Sequence, residues 1–230
     1  MARLDAPRPE VYTVYVMVAK TVAKIAAKSA KPPEPTRDRI FAAARDLFDR
    51  EGLAGVSMRR IADQVAITPM AIYRHYADKE ALIDALMLDG FAVWETRVRA
   101  IKAGDPLRWL AALMEAFIDF ALNEPRRYEA AFLLPARHAR RFPDDFAAGR
   151  SPVISMAYAR IDAAREKGYF DATPTAQIAL SIAAMGQGLV SMYQAGRFVS
   201  EADFRAACRT ALGHCLKSYA PESYTPGKKP

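Results

Sequence analysis

The chain has 230 residues, 52% hydrophobic and 10% aromatic, with a formal net charge of +7. That is enough apolar material for one large or two small folded units, and it excludes wholesale disorder. Two cysteines and three dispersed histidines (His75, His138, His214) offer neither a disulfide framework nor metal-ligand spacing, so no metal or other cofactor is expected and a reducing cytoplasm fits.

Runs of β-branched residues are scarce, while Ala, Leu, Arg, Met and Glu dominate, which predicts an all-α fold. The positive total hints at an anionic partner without locating it. Residues 1–35 carry 6 bases and 3 acids, residues 36–102 carry 11 and 10, and residues 103–230 carry 16 and 13. Any phosphate binding in the middle segment therefore depends on the placement of a few bases, not on bulk charge.

Residues 1–35 read as a basic extension, not a domain. The most apolar run, Val11 to Ala19, is nine residues long and includes Thr13. It is too short to span a bilayer, and no small-residue cleavage site follows. Lys20, Lys24, Lys28 and Lys31 recur at helical spacing until Lys31-Pro-Pro-Glu-Pro35 breaks the pattern. A mobile solvated tail, a basic arm on DNA and a membrane-surface helix all stay open. Met17 offers an alternative start.

From Thr36 the pattern is clean. Thr36 caps a helix with apolar positions Ile40, Ala43, Ala44, Leu47 and Phe48, stopped by Gly52. Ser57 caps a short helix whose Met58, Ile61, Ala62 and Val65 form one stripe, leaving Arg59, Arg60, Asp63 and Gln64 outside. Thr68 caps a third helix with Pro69 at its first position, and Ile67 and Ile72 are placed for a hydrophobic staple. Ile72 and Tyr76 face the core. Met70, Tyr73, Arg74 and Ala77 point away, with Ala71 and His75 on the flank. Asp78 caps a long helix reaching about Lys102. Further helices are expected over about 106–123, from Pro125, over about 151–167, 174–195 and 201–219. A loop or short broken helix is expected near 136–150, and a flexible tail from Pro221.

Two short helices joined by a tight turn, the second displaying polar groups, make a helix-turn-helix. The stretch IADQVAITPMAIYRHYADKEAL resembles the TetR family of bacterial transcription regulators through Ile61, Ala62, Ile67, Thr68, Ile72, Tyr73, His75, Tyr76, Lys79, Glu80 and Leu82. AARDLFDREG and GVSMRRIA fit the family's first helix and the entry to its second. The resemblance covers about residues 36–94; over 103–230 it rests on helix count and order. Two positions depart from the family. Ala66 stands where Gly is common in the turn, which would strain a left-handed residue. Met70 stands where Gly is common near the start of the recognition helix.

The resemblance implies a DNA-binding domain over 36–96, an effector-binding and dimerisation domain over 97–220, and a flexible tail over 221–230. It implies double-stranded DNA as a partner, with Tyr73, His75 and Lys79 on phosphate and the Thr68, Pro69, Met70 and Ala71 end nearest the bases. Arg74 suits guanine edges or phosphate by its chemistry. Ser57, Arg59, Arg60 and Gln64 are further candidates, although both arginines are equally suited to pairing with Asp63 or with acids of the first helix. His75 has a surface reading and Tyr73 a packing one. A homodimer through the last two long helices would match a pseudo-palindromic operator, with no membrane involved. Cys208 and Cys215 read as small buried residues.

The resemblance also implies a small-molecule effector, apolar or amphipathic. Met114, Phe117, Phe120, Tyr128, Phe132, Met156, Met185 and Gln187 are candidates for its pocket, each with a plain core alternative. No nucleophile elbow, phosphate-binding glycine loop or motif-framed carboxylate pair is present, which argues against an enzyme. A ligand-responsive repressor is the leading reading. An activator, or a helical binding module of the same fold without operator binding, are the alternatives.

Overall fold

The computed structural model describes residues 36–221; the basic extension and the last nine residues lie outside the described residues. By contacts the chain divides at Arg39, and of the first unit only the opening turn of α1 (Thr36–Glu51) is described. From Ile40 onward the second unit continues α1 and adds a 3-10 turn (Leu53–Gly55), α2 (Met58–Val65), α3 (Pro69–Ile72) and α4 (Lys79–Arg99). There follow α5 (Pro106–Asn123), α6 (Pro125–Phe132), α7 (Asp144–Ala147), α8 (Pro152–Glu166), α9 (Thr175–Gln194) and α10 (Glu201–Lys217). No strand occurs among the described residues, and the expected all-α fold holds.

Helix starts follow the sequence signals. Ser57, Thr68, Asp78, Asp105 and Ser200 each accept a hydrogen bond from the backbone N–H three residues on, which fills a donor the helix leaves open. Two ends differ from the expectation. α3 stops at Ile72, because Arg74 and His75 bond back to Ala71 and Ile72 as tight i→i+3 turns. That tightening carries Tyr76 into the core within four residues of Ile72 and leaves only Ala77 before the next cap. α4 ends at Arg99, short of Lys102, in a similar tightened turn at Ala100 and Ile101. In the polar stretch a short broken helix forms at α7.

Ala66 closes α2 in the left-handed region at φ 58°. Its N–H bonds to Asp63 O at 3.3 Å, and the next N–H, of Ile67, bonds to Ala62 O at 3.0 Å. This is the paired Schellman arrangement usually built on Gly. Ala66 thus takes the left-handed conformation despite its Cβ, at a local steric cost.

Two apolar clusters form. One gathers Ile40, Leu47, Phe48, Val56, Ile61, Ile72, Tyr76, Leu82 and Leu86 with Ala130 and Leu134. The other gathers Trp94, Val98, Trp109, Leu110, Ile118, Phe120, Tyr128, Ile161, Ile178, Phe204 and their neighbours. α4 serves both, with Leu82, Ile83 and Leu86 at one end and Trp94 and Val98 at the other. α6 does the same through Ala130 and through Tyr128 and Ala131. Where the two helices meet, a Cβ on Gly90 would lie 2.7 Å from Arg127 O and 3.0 Å from Ala131 N. Only a residue without a side chain fits there.

Polar ties hold the loop after α6 against α4. The buried Asp84 accepts the His138 backbone N–H at 3.1 Å and pairs with the His138 ring Nδ1 at 2.6 Å. Burial works against the Asp84 charge, but the His138 hydrogen bonds outweigh it, so its pKa lies below the ordinary value. Elsewhere Arg205 of α10 reaches Asp119 and Glu115 of α5 at 2.7 and 3.2 Å. Cys208 is buried and Cys215 half-buried, both are free thiols, and burial pushes both pKa values up, away from thiolate reactivity. α9 is long and apolar enough to cross a bilayer by length and composition, yet it packs on α5, α8 and α10.

Two predictions follow from this packing. Ala66→Gly removes the left-handed strain and should raise stability by about 1 kcal/mol in urea unfolding. Tyr128 is enclosed by Phe117, Phe120 and Phe132, and burial pushes its phenol up to about 12 from 10.0. Above the unfolded-state pKa the unfolded chain loses this proton first, so stability falls as pH rises from 10.0 toward about 12. Tyr128→Phe should flatten that part of the alkaline unfolding curve relative to the parent.

Candidate nucleic-acid interface and candidate cavity

The α2–α3 unit is anchored from beneath and open above. Ile61, Ala62, Val65, Ile72 and Tyr76 are buried, while Met70 is 72% and Tyr73 47% exposed. Arg74 is exposed beside them, and His75 is half-buried on the flank. Thr68 is spent as a cap, its Oγ1 accepting from Ala71 N at 3.2 Å, so it offers only its outward side. Pro69 is exposed and Ala71 half-buried at the same helix start. α4 begins immediately after, with Lys79 at its first position and Asp78 capping it by accepting from Ala81 N at 2.8 Å. Arg137 donates to Asp78 at 2.8 Å, and with the Ala81 N–H it holds that carboxyl below its ordinary pKa. The N-terminal turns of α3 and α4 therefore open close together in sequence, with Tyr73, Arg74, His75 and Lys79 around them.

The candidates on α2 divide. Arg59 makes no side-chain hydrogen bond or ion pair among the described residues and stays exposed. Arg60 is committed: it forks onto both Glu51 carboxylate oxygens at 2.5 Å and donates to Gly55 O at 3.2 Å. This is the pairing with a first-helix acid that the sequence left open. The fork lowers the Glu51 pKa and raises that of Arg60. Gln64 likewise donates to Asp46 at 2.8 Å, and Ser57 is occupied as the α2 cap, accepting from Arg60 N at 3.2 Å. The structure thus brings Met70, Tyr73, Arg74 and Arg59 to the free surface, leaves Lys79 half-buried beside them, and ties Arg60, Gln64 and Ser57 to α1 and α2.

A second concavity lies among α4, α6, α8 and α9. Its larger cavity, about 330 Å3, is lined by Met87, Phe91, Trp94 and Glu95 of α4, Ala131 and Phe132 of α6, and Arg140, Phe142 and Phe146 of the following stretch. Ser151, Val153, Tyr158, Leu180, Ala183 and Gln187 complete it. A smaller one of about 90 Å3 adjoins it, sharing Trp94, Phe132, Val153 and Gln187 and adding Met114, Phe117 and Gly186. Of the residues expected to line a pocket, Phe132, Gln187, Met114 and Phe117 do so. Phe120 and Tyr128 instead stack behind them in an aromatic cluster with Trp94, and Met156 and Met185 pack against the core without reaching either cavity.

The sequence reading missed most of the larger cavity's wall. Phe91 and Trp94 lie within the long helix expected from Asp78, with no pocket role expected of them. Arg140, Phe142 and Phe146 fall in a stretch read as polar connection. The available signal was the pair Phe142 and Phe146 set among charged residues between Arg140 and Phe146, unusual for a purely solvated loop.

The N-terminal domain model of the family described as "Bacterial regulatory proteins, tetR family" matches residues 40–86. The model described as "Tetracyclin repressor-like, C-terminal domain" matches residues 110–214. The HTH-type transcriptional regulator UidR of Escherichia coli is 46% identical over 55 residues, which is 24% of this chain and 28% of that protein. The HTH-type transcriptional repressor DrrR1 of Streptomyces coeruleorubidus is 42% identical over 64 residues, 27% of this chain and 23% of the relative. The chain thus matches under a third of the length of either curated relative. A solved structure of a protein of unknown function from Rhodococcus sp. RHA1 superposes with a TM-score of 0.67 over 84% of this chain and 100% of its own, at 22% identity, which speaks to the fold. With both family domains matched in order and the helix-turn-helix in place, the chain belongs to the TetR family of bacterial regulatory proteins.

Proposed function

We propose that the protein is a sequence-specific, DNA-binding transcriptional repressor that acts as a homodimer and responds to a small molecule. The reading is carried by one observation: Met70 on the short helix α3, and Tyr73 and Arg74 in the tight turn that closes it, stand exposed on a unit that Ile72 and Tyr76 fix into the core. A firmly seated helix-and-turn unit with free side chains on its outer side is what major-groove reading needs. In this reading residues 36–96 form the DNA-binding part and 97–220 the effector and dimerisation part. Arg74 faces base edges, Met70 supplies an apolar contact suited to a thymine methyl, and Tyr73, His75, Lys79 and Arg59 meet phosphates. Because the segment is nearly neutral, position rather than net charge sets affinity.

Dimerisation through α9 and α10 is favoured by an apolar side chain left on α9 outside the cavity, where Met192 is exposed. Two copies would present recognition helices to major grooves roughly 34–36 Å apart and require a pseudo-palindromic site. Repression is the simpler mode because occupying an operator blocks by bulk alone, and the relative DrrR1 carries the name repressor. The effector would occupy the cavity of about 330 Å3, whose walls include α4 and α6. Those helices also hold the helix-turn-helix core through Leu82, Leu86 and Ala130. A ligand that favours one arrangement of α4 against α6 thereby has a route to the DNA-reading face. A cytoplasmic location follows from this role.

Selection from a random duplex library, then anisotropy on the enriched site at two salt concentrations, tests the reading. A palindrome bound more tightly than scrambled DNA supports it, and failure to enrich any site would remove operator binding. On the enriched site, Arg74→Ala should cost about 1–3 kcal/mol and relax specificity at one position, whereas an equal loss on random DNA would make Arg74 a phosphate contact. Arg59→Ala should lower the salt slope by about one unit. Arg60→Ala should leave that slope alone and lower the thermal midpoint, because Arg60 is already spent on Glu51.

A further inference from the structure

The larger cavity is apolar on most sides, walled by Phe91, Trp94, Phe132, Phe142, Phe146 and Tyr158. Its one cationic lining group is Arg140, which is only partly exposed. The Arg140 guanidinium lies over the Phe91 ring, 4.5 Å from the centroid. This cation–π contact consumes no hydrogen-bond donor, and among the described residues the Arg140 guanidinium donates to no acceptor. Among the described residues no carboxylate lies within 4.0 Å of it to form an ion pair.

The two carboxylates nearest in charge are committed elsewhere. Glu95, also on the cavity wall, accepts from Arg99 through Oε1 at 2.6 and 2.9 Å. Asp145 pairs with Arg150 at 2.7 Å and accepts the Arg141 backbone N–H, also at 2.7 Å. Burial lowers the Arg140 pKa while Glu95 and Asp145 hold it up, and a guanidinium stays charged throughout the working pH range. Arg140 is thus a partly buried cation on the wall of a mostly apolar chamber, with open donors and no direct ion-pair partner among the described residues, and an anion bound in the chamber would gain a charge-assisted pair there. A planar carboxylate matches the fork of an arginine better than any neutral group does.

We propose that the effector is an amphipathic organic acid, with an aromatic or aliphatic body among the phenyl walls and a carboxylate paired to Arg140. Gln187 and Ser151, on the same wall, suit a further neutral polar substituent. The inference deepens the effector reading above and rests on that cavity being the effector site. Cavities of this size suit ligands of small-metabolite dimensions.

The test titrates the full chain by calorimetry with 2-naphthoate, 4-phenylbutyrate and octanoate, and with the carboxamide and the primary amine of each. At least one acid should bind about 10-fold or more tightly than its carboxamide, the gain of a charge-assisted pair over a neutral one. Arg140→Gln should abolish that preference while leaving the carboxamide's affinity unchanged, which also shows that the variant's cavity is intact. Acid and carboxamide binding alike, or a preference that survives Arg140→Gln, would overturn the inference and leave the cavity as an effector site. Preference for the amines would overturn it in favour of Glu95 as the charged anchor. Binding by no member of the series would overturn both the inference and the cavity reading, while operator binding, measured without ligand, stands or falls separately.

Discussion

The close approach of α4 and α6 at Gly90 is the constraint on which the rest of this structure depends. A side chain at that position would meet the backbone of Arg127 and Ala131, so the two helices keep their spacing only because Gly90 has none. The consequence reaches both cores. α4 and α6 each contribute to the cluster under the helix-turn-helix and to the cluster that fills the C-terminal helices. Two cores that share two helices cannot repack independently, since close-packed interiors transmit displacement instead of absorbing it. The larger cavity is walled by these same helices, with Met87, Phe91 and Trp94 on one side and Ala131 and Phe132 on the other. The proposed link between effector and DNA therefore needs no long chain of contacts.

Electrostatics on the DNA-reading side follow from commitment, not from count. The segment from 36 to 102 holds 11 bases and 10 acids, and several of the bases are already paired within the fold. Arg60 is forked onto Glu51, and Arg50 pairs with Asp46, which also receives Gln64. Around the α3–α4 junction, among the described residues, the bases not paired within the fold are Arg59 and Arg74, both exposed, and the half-buried Lys79. The cavity follows the same logic in reverse. There Glu95 and Asp145 are satisfied by other arginines, and Arg140 is the charge left over.

The local rules were legible because they act over a few residues. Ser57, Thr68 and Asp78 cap where a side-chain oxygen three residues before an N–H requires it, and Ile61, Ala62, Val65, Ile72 and Tyr76 are buried as their spacing dictates. Ala66 shows the limit of such rules. Its Cβ argued against a left-handed turn, yet the backbone takes that turn, because the packing of α2 against α3 is worth more than the strain of one exposed methyl. The length of α3 was also misjudged, since periodicity cannot tell a continued helix from a tightened turn that keeps the same residues buried.

By itself, then, the sequence determined the all-α class, the order of the helices, the helix-turn-helix and the family, all of which rest on caps, spacing and residue types within a short window. The tertiary structure alone decided which polar groups are free. Whether Arg60 faces solvent or Glu51, whether Tyr128 lines a cavity or packs behind it on Phe117, and whether Asp84 meets water or His138 depend on partners from 9 to 54 residues away. No pattern along the chain encodes those distances. The cavity belongs to the same class. It is lined from α4, α6, α8, α9 and the stretch that carries Arg140, and an unfilled volume between elements leaves no periodic mark on any one of them.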